Sequence, residues 1–156
     1  MVALSRFSDR PRVTVAGLVA RENRFLFVEE RDSHGGLVLN QPAGHLESGE
    51  SVLDGLVREV FEETACRVRP LHLVGVYTWQ VPDSGLAFLR IAVAAEFLEE
   101  IPEKPLDEGI ERALWLTPDQ VIDGRSRHRS PLVLRCLEDA LAGACFDLSV
   151  FKDLRA

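Results

Sequence analysis

The 156 residues are 46% hydrophobic and 28% charged, with a net charge of −7 at pH 7, enough chain for a sizeable core in one domain spanning residues 1–156. That acidic balance argues against a general binder of nucleic-acid polymers, which presents a basic surface. No apolar run reaches membrane-spanning length, the N-terminal stretch reads as no secretory leader, and three cysteines without paired spacing read as reduced thiols, so the expected location is the cytoplasm.

In chain order, Val13–Ala20 and Arg24–Glu30 are Val-, Leu- and Phe-rich and predict two strands joined by a turn at Arg21-Glu22-Asn23. Val38–Gln41 predicts a short third strand running into a Pro42-Ala43-Gly44 loop. Leu53, Leu56, Val57 and Val60 then recur at three- and four-residue spacing, the mark of a helix with one apolar face, and Ser51 with Asp54 three residues on predicts its start. Val68–Gln80 and Leu86–Glu96 predict longer strands around a Pro82–Gly85 turn, and Ala113–Leu116 a short one. Thr117-Pro118 opens a helix with Thr as cap and Pro in the first turn, and Pro131–Ala142 predicts a closing helix with Leu134, Leu137 and Leu141 inside. The alternation predicts an α/β fold, a mixed β-sheet flanked by helices.

The segment Gly44–Cys66, GHLESGESVLDGLVREVFEETAC, carries the chemistry. Glu47, Glu50, Glu59, Glu62 and Glu63 gather around the entry and body of the first helix, with Arg58 among them. Glu59, Glu62 and Glu63 stand at i, i+3 and i+4 and so share one flank. Carboxylates this close repel unless a cation lies between them. Oxygen-rich sites suit Mg2+, with Mn2+ as the alternative, and Mg2+ bridges protein carboxylates to phosphate oxygens. The competing view is an acidic solvated helix face, but the lysines of an ordinary surface helix are absent here.

This segment resembles the Nudix box, G-x5-E-x7-R-E-U-x-E-E-x-G-U with U a bulky aliphatic. Gly44, Glu50, Arg58, Glu59, Val60, Glu62 and Glu63 all fall in register. Ala65 and Cys66 replace the final Gly and aliphatic, and an alanine kept in the left-handed conformation there costs about 1–2 kcal/mol. Arg12–Glu30, Asn40–His45, Trp79, Phe88–Arg90, Trp115 and Arg129–Val133 extend the likeness to the NudJ-type phosphatase subfamily, over a core of about residues 12–142.

The resemblance implies an α/β/α sandwich and Mg2+-dependent hydrolysis of nucleoside tri- and diphosphates and of the pyrimidine pyrophosphate precursor of thiamine (HMP-PP), releasing inorganic phosphate. It implies Glu59, Glu62 and Glu63 as metal ligands with the Ala43 carbonyl, Glu59 being ligand or base, and Arg58 as the residue orienting a glutamate. The partner is a small nucleotide or pyrophosphate; monomer and homodimer both stay open. Another Nudix substrate class, oxidised dGTP or dinucleoside polyphosphates, is the alternative, followed by a non-catalytic nucleotide-binding module. A thiol hydrolase built on Cys66 is more remote, since no matched histidine stands near it.

Outside the box, a further acid is expected among Asp107, Glu108 and Glu111, with Glu111 first, against a plain solvated loop. Trp79 either stacks on a substrate ring or belongs to the core. Arg90 lies in the apolar run Phe88–Ala95, where it needs a phosphate or a box glutamate. Arg129, with Arg127 and His128, forms a basic cluster that offers phosphate contacts or simply exposed loop cations. His45 hydrogen-bonds either substrate or backbone, and no second histidine nearby supports a histidine metal site.

Overall fold

The computed structural model describes residues 10–155, so the reading of the N-terminal residues lies outside it. The strands are β1 (Arg12–Arg21), β2 (Arg24–Arg31), β3 (Leu37–Asn40), β4 (Ala43–His45), β5 (Cys66–Gln80), β6 (Ala87–Glu100) and β7 (Ile110–Leu116). The helices are α1 (Val52–Thr64), α2 (Pro118–Asp123) and α3 (Pro131–Leu141), with 3-10 turns at Arg125–Arg127 and Leu148–Val150. The main sheet path is β3-β2-β1-β6-β5, with β4 added on β1 and β7 on β2. Among the described strands β1 and β6 pair in parallel and the other pairs are antiparallel, so the sheet is mixed.

Strand pleating sorts the core. Val15 and Val19 of β1 and Ile91 and Val93 of β6 face Leu56 and Val60 of α1, whereas Leu18 and Ala92, one residue out of phase, face Cys136 of α3. Helices therefore cover both faces, the α/β/α sandwich. Leu56 and Val60 are fully buried, and each carries about 2–5 kcal/mol (Leu) or somewhat less (Val) against truncation to alanine. The Ser51 hydroxyl caps α1 by accepting from the Asp54 N–H at 3.0 Å. Ala65 ends α1 at φ 59°, so it keeps the left-handed conformation that glycine adopts more readily.

Strand β4 is absent from the expected elements. It is short and reads as loop because Gly44 and the preceding Pro42 are turn residues. The structure extends it because β1 exchanges partners: it pairs β2 only at Ala20 and Arg21 and pairs β4 at Thr14–Ala16. The chain thus crosses from β2 to β1 within Gln41-Pro42. That crossing lies beside the flank of α1 that bears the box carboxylates.

Candidate active site

Arg58 is the hub of the box. Its Nε donates to Glu50 Oε2 at 2.9 Å and its Nη2 to Glu50 Oε1 at 2.6 Å. Nη1 donates to Glu59 Oε1 at 2.8 Å and to Glu62 Oε2 at 3.0 Å. Nη2 also reaches the His45 carbonyl at 3.1 Å. The Glu50 bonds, followed by those of Glu59, raise the Arg58 pKa, and the same pairing holds Glu50 below the usual carboxylate range.

Glu59 and Glu63 are buried carboxylates, 8% and 7% exposed. Burial raises Glu59 in spite of Arg58, and pushes Glu63 to about 9, with Glu30, Glu59 and Asp107 adding repulsion. The Ala43 N–H donates to Glu63 Oε2 at 3.0 Å. Gly44 is required for space: a Cβ there would stand 2.1 Å from the Glu59 carboxyl carbon.

Among the described residues, no three His, Cys, Asp or Glu side chains stand gathered around one point that could hold an ion. Arg58 draws Glu59 and Glu62 to itself while the Ala43 N–H holds Glu63. The donor set nevertheless fits a hard divalent cation. Glu59, Glu62 and Glu63 are oxygen donors on one helical flank, and two are buried where an unpaired negative charge is disfavoured.

The other sequence candidates divide. Trp79 and Arg129 come together, with His128, Ser130, Leu134 and Arg135, around a cleft of about 510 Å3. Trp79 is half-buried and stacks on Phe88, with ring centroids 6.0 Å apart. Arg129 pairs with Glu30 at 3.2 Å, and Glu30 is one of the carboxylates that raises Glu63, which links the cleft to the box. Arg90 pairs with neither phosphate-facing space nor a glutamate: it is 6% exposed and donates to Gln41 and Asn40. His45 is exposed and meets Arg58 through its carbonyl.

Glu111, first among the loop acids, instead pairs with Arg31 at the surface at 3.1 Å, and Glu108 is exposed. Asp107 is the loop acid close enough to act on Glu59 and Glu63, and its N–H donates to the Glu62 carbonyl at 3.1 Å. Glu111 lies within β7, where successive side chains face opposite sides, and its own points to the surface. Cys66 is 2% exposed and burial raises its thiol, the opposite of an activated nucleophile. Sequence reasoning also missed Glu30, Asn40 and Gln41. Their signal was polar side chains in apolar strand runs.

The NUDIX domain family model matches residues 10–135. The chain belongs to the Nudix family. It is 35% identical over 144 residues to the Phosphatase NudJ of Escherichia coli K12 and to that of Shigella flexneri, covering 92% of this chain and 92% of each relative. A NUDIX hydrolase from Nitrosomonas europaea superposes with a TM-score of 0.91 at 38% identity, over 93% of this chain and 98% of that one. The MutT NUDIX hydrolase from Burkholderia pseudomallei shares the fold, with a TM-score of 0.70 at 19% identity over 83% and 98% of the two chains. As a Nudix hydrolase the protein is an enzyme that cleaves phosphoanhydride bonds. Among the described residues, no helix is long and apolar enough to cross a membrane.

Proposed function

We propose that this Nudix hydrolase removes inorganic phosphate from nucleoside tri- and diphosphates and from the thiamine-precursor pyrimidine pyrophosphate, using Mg2+, in the cytoplasm and as one domain. The observation that carries the reading is the group Glu59, Glu62 and Glu63 on one flank of α1, with a separate cleft between Trp79 and Arg129 that reaches the box only through the Arg129–Glu30 pair. The likeness to the NudJ phosphatases over nearly the whole chain supports the substrate class.

Glu59, Glu62 and Glu63 would hold the metal, with the Ala43 carbonyl as a further oxygen. Bound there, Mg2+ supplies charge neutralisation at the phosphoryl oxygens. A carboxylate of this group, Glu59 first, accepts the proton of the attacking water, which adds at phosphorus as the bridging P–O bond breaks. Arg58 orients Glu59 and Glu62. Trp79 offers a face for the ring, and Arg129 a cation for the phosphate chain. Asp107 replaces Glu111 and Glu108 as the extra acid of this site.

Phosphate and pyrophosphate release are measured separately over nucleoside di- and triphosphates, the pyrimidine pyrophosphate, oxidised dGTP and dinucleoside polyphosphates, with Mg2+ and with chelator. Metal-dependent phosphate from the first two groups supports the reading. Pyrophosphate from triphosphates keeps the Nudix chemistry and rejects the substrate class. Glu62→Gln and Glu63→Gln each lower kcat by about 100-fold or more; wild-type turnover in both would reject these ligands.

A further inference from the structure

The reaction as described leaves one buried charge unused. Arg90 stands on β6 between Thr14 of β1 and Tyr77 of β5. It is 6% exposed, and its Nε has no hydrogen-bond partner among the described residues. A buried guanidinium ordinarily lies against a carboxylate, since removal of the charge from water is otherwise uncompensated. Here its terminal guanidinium nitrogens hydrogen-bond two neutral amides instead, with the Cys136 thiol beside it and Glu30 and Glu63 acting on it from further off. Nη1 donates to Gln41 Oε1 at 3.1 Å and Nη2 to Asn40 Oδ1 at 3.2 Å.

Both amides pass the interaction on. Gln41 Nε2 donates to the Val133 carbonyl of α3 at 2.7 Å, and Asn40 Nδ2 to Glu30 Oε1 at 3.2 Å. Each amide therefore accepts from Arg90 and donates outward, so its two ends are not interchangeable. Gln41 is fully buried and Asn40 is 5% exposed, which leaves water little access to replace either bond.

These two residues occupy the crossing of the chain between strands. Asn40 closes β3 opposite Val28, and Ala43 opens β4 opposite Ala16. Pro42 between them has no N–H and is held through its carbonyl, which accepts from Gly17 at 2.9 Å. Directly after the crossing come the Ala43 N–H that meets Glu63 and the bare Gly44 backbone that Glu59 lies against. A shift of the crossing moves both contacts together.

We propose that Arg90 is a positioning residue for the box carboxylates: by gripping Asn40 and Gln41 it sets the strand crossing from which Ala43 and Gly44 present their backbone to Glu63 and Glu59. The inference rests on the reading of Glu59, Glu62 and Glu63 as the metal-holding group. It assigns Arg90 no contact with substrate.

Arg90→Lys keeps the charge but replaces a planar two-pronged donor with a single flexible ammonium that cannot serve both amides in the same geometry. Three quantities are read on the full chain: Mn2+ affinity of the substrate-free protein by electron paramagnetic resonance, kcat and KM, and thermal unfolding. The folded variant is expected to bind Mn2+ about tenfold or more weakly and to lose kcat by a comparable factor, while KM stays near the wild-type value. A folded variant with wild-type Mn2+ affinity and kcat overturns the inference. So does a variant whose sole defect is a raised KM, the signature of a substrate contact. Should Arg90→Lys not fold, Asn40→Ala removes one anchor and leaves Arg90 on Gln41, and the same two results decide. Wild-type protein that binds no Mn2+ would overturn the metal reading itself, so the two failures are told apart.

Discussion

Arg58 and Glu50 form a two-pronged ion pair, Nε to Oε2 at 2.9 Å and Nη2 to Oε1 at 2.6 Å, that joins the loop before α1 to the body of the helix. The same guanidinium serves Glu59, Glu62 and the His45 carbonyl. A lysine has neither the planar fork nor the reach for these contacts at once. Arg58→Lys is expected to lower kcat by about 10- to 100-fold, with a smaller effect on KM, as steady-state kinetics would show. Unchanged kcat would mean that Arg58 orients nothing the reaction needs.

Gly44→Ala tests close approach. The new Cβ would lie 2.1 Å from the Glu59 carboxyl carbon, and the flexible end of Glu59 is the part that must yield. A displacement of about 1 Å at a reacting group costs on the order of 100-fold, so kcat should fall by about that factor. Since the clash is relieved by a side-chain tip, the melting temperature should change little. A large loss of stability at retained kcat would instead place the strain in the backbone of β4.

Trp79 is half-buried on the wall of the cleft and rests on Phe88. Stacking on a base contributes about 1–3 kcal/mol, so Trp79→Ala should raise KM by about fivefold or more. Kinetics and a denaturation curve separate the two roles. An unchanged KM with a loss of about 3–5 kcal/mol in stability is the result expected of a core tryptophan.

Glu29 governs an acid limb of stability. Its side chain is 5% exposed and accepts from Arg112 at 2.7 Å and from Arg127 at 3.0 Å. The Arg112 bond first, then Arg127, holds its carboxyl below the ordinary range. A depressed folded pKa means that the unfolded chain takes up the proton first as pH falls. The contribution is therefore complete above the unfolded value of about 4.3 and disappears as pH drops through the folded one. Both arginines are about half exposed or more and can rehydrate, so Glu29→Gln should cost only about 1–2 kcal/mol at pH 7. Urea denaturation of the two proteins should show that gap closing below about pH 4. A gap independent of pH would remove the ion pairs as its cause.

The helix of the box was legible because its information is local. Periodicity at Leu53, Leu56, Val57 and Val60 defines a buried face, Ser51 supplies the cap, and spacing alone puts Glu59, Glu62 and Glu63 on one flank. Ala65, by contrast, left the helix end open on the sequence; the structure keeps the left-handed conformation there, with φ 59°. Strand β4 was not legible, because three residues carry no period. They become a strand only through their pairing with β1.

Among the candidate site residues, local reasoning failed where partners lie far apart in the chain. Nothing near Arg90 shows that its partners are Asn40 and Gln41, 50 and 49 residues earlier. Nor does the sequence near the loop acids show that the Asp107 N–H reaches the Glu62 carbonyl while Glu111 turns to Arg31. By itself, then, the sequence determined the helix, its flank of glutamates and a mixed sheet flanked by helices, which follow from side-chain spacing over a few turns, while the α/β/α sandwich was implied by the resemblance to the Nudix box. Only the tertiary structure decided which charges meet: contact between distant strands depends on sheet order and register, and the sheet brings β1 beside β6 in parallel although four strands and α1 lie between them in the chain.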